Sequence, residues 1–235
     1  MRADGPAFLR WSRTAASGMR TDDGVTKEEA AKRPAEFSCA MHSAALAADK
    51  QKAGETAGEN YKNEDVLLYS CGDENRGPPK DVCFCNDSNK AFRKWLNEKH
   101  YKTIQDLNKE WGTQYKSFDE VIAMTEAEVK EHATASKTYA PWLDQRNFND
   151  WSNAELARNI TRGVRSRDPN AIVGESGTQD PWQYHSGRNW WWMSRAYTGL
   201  VAYRGLQTVE QESYNPDLVR YSWAGYGKPN PLNRV

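Results

Sequence analysis

Four short runs, DVLLYS (65–70), AIVGES (171–176), TGLVAY (198–203) and LVRYSWAGY (218–226), constrain the fold of this chain more than any other feature. Each is too short for a helix, and the first is apolar on both faces, the pattern of a strand buried on both sides in a parallel sheet. Helix-patterned segments separate them. SNKAFRKWLNEKHY places Phe92, Trp95 and Leu96 on one helical stripe, with Ser88 or Asn89 as the cap. TIQDLNKEWG repeats the spacing with Ile104, Leu107 and Trp111, opened by Thr103 and stopped by Gly112. A longer helix is expected from Asn149, with Trp151, Leu156, Ile160 and Val164 on one side until Asp168-Pro169 ends it. Strands alternating with helices of this length imply an α/β fold built from βα units around a parallel sheet.

The remaining segments are less regular. Residues 1–38 read as an irregular N-terminal segment, and residues 125–145 as charged and weakly patterned. The Ala-rich run from Ala40 to about Gly58 has high helix propensity but a thin apolar face, so it needs a partner surface.

Composition narrows the partners. Only 38% of the 235 residues are hydrophobic, against about 45–50% in globular chains, and the mean hydropathy is −0.93. Lys plus Arg equals Asp plus Glu at 32 each, which removes the electrostatic case for nucleic acid or an anionic membrane surface. No apolar stretch approaches the roughly 20 residues of a membrane span, and no apolar segment of a secretory signal follows Met1. The four cysteines are too few and too unevenly spaced for a disulfide scaffold, and they leave the compartment open. The ten tryptophans, seven of them after position 140, suit either core packing or stacking on sugar rings.

In parallel α/β folds, working residues stand where strands end at their carboxyl edge. Asp73-Glu74 follows the first of the four runs at such a place. A carboxylic acid held against apolar walls keeps its proton near neutrality and can hand it to a leaving oxygen; spacing alone favours Glu74 as a solvated loop carboxylate. Cys83 and Cys85, with Cys39 upstream, could place thiolates around a metal, with His42 nearby in sequence; Cys71, inside a strand, reads as a packing residue.

The stretch CFCNDSNKAFRKWLNEKHYKTIQDLNKEWGTQYKSFDEVI (83–122) resembles the segment of glycoside hydrolase family 42 β-galactosidases in which a cysteine cluster precedes a Phe-Arg-x-Trp-Leu helix and an Asn-x-x-Trp-Gly-Thr turn. The resemblance implies a (β/α)8 barrel, partial here, lacking the first strands and the last, with residues 39–235 as its barrel portion. It implies hydrolysis of terminal β-galactosides or related β-glycosides, with Glu74 as acid/base at the end of the fourth strand. It implies a structural zinc at Cys39, Cys83 and Cys85, although Ser88 stands where the family carries a further cysteine, and no organic cofactor. Asp73, Asn75, Trp182, Trp190, Trp191 and Arg204 are the expected substrate contacts, with Gln207 beside Arg204. In NWWWM (189–193) three rings cannot share one helical face, so at least one is exposed or covered by another copy, and a homo-oligomer is one expectation. The departure is the nucleophile: the run taken as the seventh strand ends in Gly225-Tyr226-Gly227 where the family has Glu. Glu175, Glu210 and Glu212 are the substitutes that sequence offers, on loops at strand ends. The alternative is a catalytically degenerate barrel that binds carbohydrate without cleaving it.

Overall fold

A computed structural model describes residues 7–10, 39–41, 43–60, 66–72, 83–178, 189–202 and 205–222. Its frame is a five-stranded sheet in the order β1 (Ala7–Arg10), β2 (Val66–Ser70), β3 (Val173–Thr178), β4 (Gly199–Ala202), β5 (Val219–Ser222). Every neighbouring pair is parallel. Because chain order and spatial order coincide, each crossover steps one strand in the same direction. Right-handed crossovers then stack all helices on one face, the winding of a (β/α) barrel and not of a doubly wound sheet. The described strands form a partial barrel of this type. β2 to β5 are the four runs expected from sequence; β1 lies inside the segment read as irregular, since four residues carry no usable period.

The first crossover carries α1 (Ser43–Asn60), whose small-residue face is buried against α5 (Ala140–Arg165). Ala53 and Ala57 are fully buried, and a Cβ on Gly163 would stand 2.4 Å from the Lys50 carbonyl oxygen and 2.9 Å from the Ala53 Cβ. The thin apolar face works because the two helices approach this closely. Gly163 costs roughly 1 kcal/mol of helix propensity relative to Ala. We expect Gly163→Val to wedge the helices apart and lower the thermal midpoint by several degrees, measured by calorimetry, whereas Gly58→Ala, whose new methyl would meet only Arg167 methylenes at 3.8–4.0 Å, should not.

Between β2 and β3 the chain makes a long helical excursion. α2 (Asn86–Trp95) continues into a π-helical turn, Leu96–His100, followed by α3 (Ile104–Trp111), a 3-10 turn at Phe118–Glu120, α4 (Glu126–Ser136) and α5. Phe92, Trp95, Leu96, Ile104, Leu107, Trp111 and Phe148 form a core of their own, separate from the one between sheet and helices. Its rings lie 5.0–6.3 Å apart between Phe92 and each of Trp95, Trp111 and Phe148. Packing therefore accounts for Trp95 and Trp111. Below this cluster Asp144 Oδ2 accepts from Trp111 Nε1 and from Tyr101 Oη, both at 2.7 Å.

α5 departs from expectation. It begins at Ala140, well ahead of Asn149, with Pro141 in its first turn. Its first four turns bury polar groups: Asp144, Gln145, Asn149, Ser152 and Asn153 are all inside. Gln145 bonds both ways with the Met124 backbone, at 2.7 and 2.8 Å, as a strand neighbour would.

Candidate active site and metal centre

α2 and α3 illustrate how the cysteine region is set. α3 opens and closes as its sequence demands, with a Thr103–Asp106 capping box and Gly112 at φ 68°. α2 does not start at Ser88 or Asn89. Its N-cap is Cys85, whose sulfur accepts the Ser88 backbone N–H at 3.4 Å. Asn89 instead bonds the Phe84 carbonyl at 2.8 Å from within the helix. The cap thus turns a thiol toward the two other cysteines that precede helices.

The Sγ atoms of Cys39, Cys83 and Cys85 lie within 4.8 Å of one another, Cys39 and Cys85 buried and Cys83 partly so. Cys39 and Cys85 are 3.4 Å apart, and Met41 donates its backbone N–H to Cys39 Sγ at 3.4 Å. Thiolates placed about 2.3 Å from a tetrahedral ion stand roughly 3.8 Å from each other, so the spacing and the sulfur donors fit a thiophilic metal. The trio shares its protons unevenly. Hydrogen bonds from Cys39 and Cys83, aided by the Ser88 and Asp87 backbone, hold the Cys85 thiol down to about 3 against its burial. At Cys83 the Cys39 contact pulls downward, but the bond to Cys85, burial and the Cys85 charge push it up to about 12. Cys39 is raised by its bonds to Cys83 and Cys85 and by burial. The proton is thus held more tightly on Cys39 and Cys83 than on Cys85.

The strand-end region is partly visible. β2 ends at Ser70, followed by buried Cys71 and by Gly72 at φ 124°, a conformation open to glycine and strained for other residues. Ser70 Oγ donates to the Gly72 carbonyl at 3.1 Å and accepts its N–H at 3.3 Å, a closed local turn at the sheet's carboxyl edge. Asp73, Glu74 and Asn75 come next in the chain and lie outside the described residues, as do Trp182, Arg204 and His42. Cys71 is a core residue as expected, its thiol raised by burial and then by the Glu175 charge.

Three carboxylates offered as nucleophiles do not stand on loops. Glu175 is fully buried within β3, in register with Leu200. Glu210 and Glu212 are on α7 (Gly205–Tyr214), where Glu210 accepts from Tyr214 Oη at 3.2 Å and Glu212 lies 3.7 Å from Arg220. β3 runs on to Thr178 and so encloses Glu175, and the segment after β4 is already helical from Gly205.

The triple-Trp segment forms α6 (Trp190–Met193), capped by Asn189. One ring is exposed, as three adjacent rings require: Trp191 is 48% exposed while Trp190 is 3%. Trp190, expected as a sugar contact, packs instead as a buried member of the main core cluster. Trp191 carries the Arg195 guanidinium 3.4 Å from its ring centre and meets Tyr214 edge-on at 6.3 Å. Tyr214 ends the helix that feeds β5, so Trp191 sits toward the amino edge of the sheet, opposite the carboxyl ends of the strands.

Sequence reading passed over Asp150, on α5. Burial raises its carboxyl to about 6, against the opposing pull of Arg146 and of a bond from Asn189. A carboxyl whose pKa is higher folded than unfolded binds its proton more tightly when folded, so its ionisation penalises the fold as pH rises from about 4 through 6. We expect Asp150→Asn to flatten that loss of stability between pH 4 and pH 7, read as the difference in thermal midpoint. Its signal was available: Asp150 falls on the same helical side as Arg146 and Asn153.

The sequence profile of the glycoside hydrolase family 42 β-galactosidases matches residues 14–220 of this chain. The chain belongs to glycoside hydrolase family 42. The match begins ahead of Cys39 and so takes in much of the segment read as irregular. Within the family, β-galactosidase Bga of Halorubrum lacusprofundi is 28% identical over 219 residues, 89% of this chain and 27% of the relative. β-Galactosidase BgaB of a Geobacillus species is 40% identical over 68 residues, 27% of this chain and 10% of the relative. Among solved structures, the cold-adapted β-galactosidase of Rahnella sp. R3 superposes with a TM-score of 0.61 at 15% identity, over 84% of this chain and 29% of that one. The apo exo-carrageenase of Bacteroides ovatus does so at 0.59 and 20% identity, over 77% and 29%. These superpositions show the shared fold. The chain spans 10–27% of the length of these curated relatives and 24–29% of these β-galactosidase and exo-carrageenase chains.

Proposed function

We propose that the full-length protein hydrolyses β-galactosides or related β-glycosides, with Glu74 as general acid/base. The observation that carries this is the coincidence of family membership over residues 14–220 with the position of Glu74, directly after the Ser70–Gly72 turn that closes β2 at the carboxyl edge. Asp73, Asn75, Trp182 and Arg204 also follow the carboxyl ends of β2, β3 and β4 in chain order, which supports their assignment as substrate contacts. In the full-length protein we expect Trp182→Ala to raise KM for a β-galactoside at least tenfold and Trp191→Ala to leave it within twofold; the reverse order would remove Trp182 from the site.

A second reading has one observation behind it. Residues 218–235 contain no Asp or Glu, so this stretch of sequence offers no side-chain carboxylate after β5. Under that reading the barrel holds oligosaccharide without turnover, and calorimetric binding of galactosides with no product formed would select it.

For the cysteine trio the proposed ion is zinc, in a structural role that ties the start of α1 to the start of α2. Cysteines bind zinc as thiolates, so any that are protonated lose their protons on zinc uptake: affinity rises with pH and protons are released, countable by titration in weak buffer. Zinc uptake with no proton release would contradict the assignment.

A further inference from the structure

We infer that a metal held by Cys39, Cys83 and Cys85 keeps one coordination corner that the described residues leave uncovered, and that this corner takes a small external donor of the soft-anion or thiolate class. The inference rests on the metal reading above and goes beyond it. Among the described residues no fourth His, Cys, Asp or Glu joins the three sulfurs. The position built to reach them is 88: it is the third residue of α2 after the Cys85 cap, and a side chain there points back toward the cap, as the glutamate of a capping box does. Ser88 holds that place, 4% exposed, with its backbone N–H already spent on Cys85 Sγ. A serine hydroxyl is a hard, protonated oxygen and a poor rival to thiolate for a soft ion. Sites with four protein ligands are closed, whereas sites with three keep a position for an outside ligand. Access lies on the side of Cys83, the least buried of the trio.

Cobalt(II) reports this directly, because its visible bands change with each donor. The chain loaded with one equivalent of cobalt should show thiolate-to-metal absorption, and adding azide or 2-mercaptoethanol should shift the bands in a saturable way. Ser88→Cys should abolish that response and tighten zinc binding roughly a hundredfold in chelator competition, by adding the fourth thiolate. His42→Ala should change neither. Cobalt bands that form but ignore both added donors would overturn the open corner while leaving the metal reading intact. So would a His42→Ala variant that loses affinity and gains the response. No uptake of cobalt or zinc at all would remove the metal reading and this inference with it. The wild-type donor titration decides the matter even where Ser88→Cys fails to fold.

Discussion

Glu74→Gln in the full-length protein should lower kcat roughly 10²–10⁴-fold on galactosides with poor leaving groups such as lactose. It should spare the first step on 2,4-dinitrophenyl β-galactoside. The difference follows from what the residue supplies. An alkoxide leaving from a sugar needs a proton as the glycosidic bond breaks, whereas a dinitrophenolate is stable without one. Gln keeps the size and removes the proton, so the variant folds and the loss depends on leaving-group acidity. An equal loss on both substrates would point to a nucleophile or a binding residue instead.

The largest effect on stability is expected at Trp111. It is fully buried, its ring sits 6.2 Å from Phe92, its indole N–H is bonded to Asp144, and its carbonyl contacts His132 Nε2 at 2.6 Å. Trp111→Ala empties the middle of the second core and takes one of two donors from a buried carboxylate. The cost should be about 3–5 kcal/mol, which for a chain of this size lowers the thermal midpoint by roughly 6–20 °C. Trp191→Ala, at a half-exposed ring, should move the midpoint by a small fraction of that. Equal shifts would mean that the second core does not carry stability as its packing implies.

The two tryptophans also show which parts of this molecule can be read from sequence. β2 to β5 were legible because a run such as VLLYS, bounded by charges and glycine, leaves little alternative to a buried strand. Thr103 and Gly112 were legible because caps act locally. The start of α5 was not, since Gln145 and Asn149 are buried polar residues and periodicity counts only apolar ones. α4 carried an overlooked signal, the Thr125–Glu128 capping box, which marks a helix start in a stretch read as merely charged. The three cysteines were legible as a set, but their convergence depends on Cys85 acting as a helix cap, a role seldom assigned to cysteine. Trp190 and Trp191 are adjacent and chemically identical; only packing decides that one is core and the other surface. Glu175 looked like a loop carboxylate because the end of β3 cannot be fixed from sequence to within a residue or two.

The acid/base role of Glu74 is tested most directly by azide rescue of Glu74→Ala in the full-length protein, with 2,4-dinitrophenyl β-galactoside as substrate. A glycosyl-enzyme formed without the acid/base residue waits for a nucleophile that needs no deprotonation, and azide is one. The account predicts accelerated turnover and β-galactosyl azide as product. α-Galactosyl azide would make Glu74 the nucleophile, and no azide product with turnover unchanged from wild type would remove it from the chemistry.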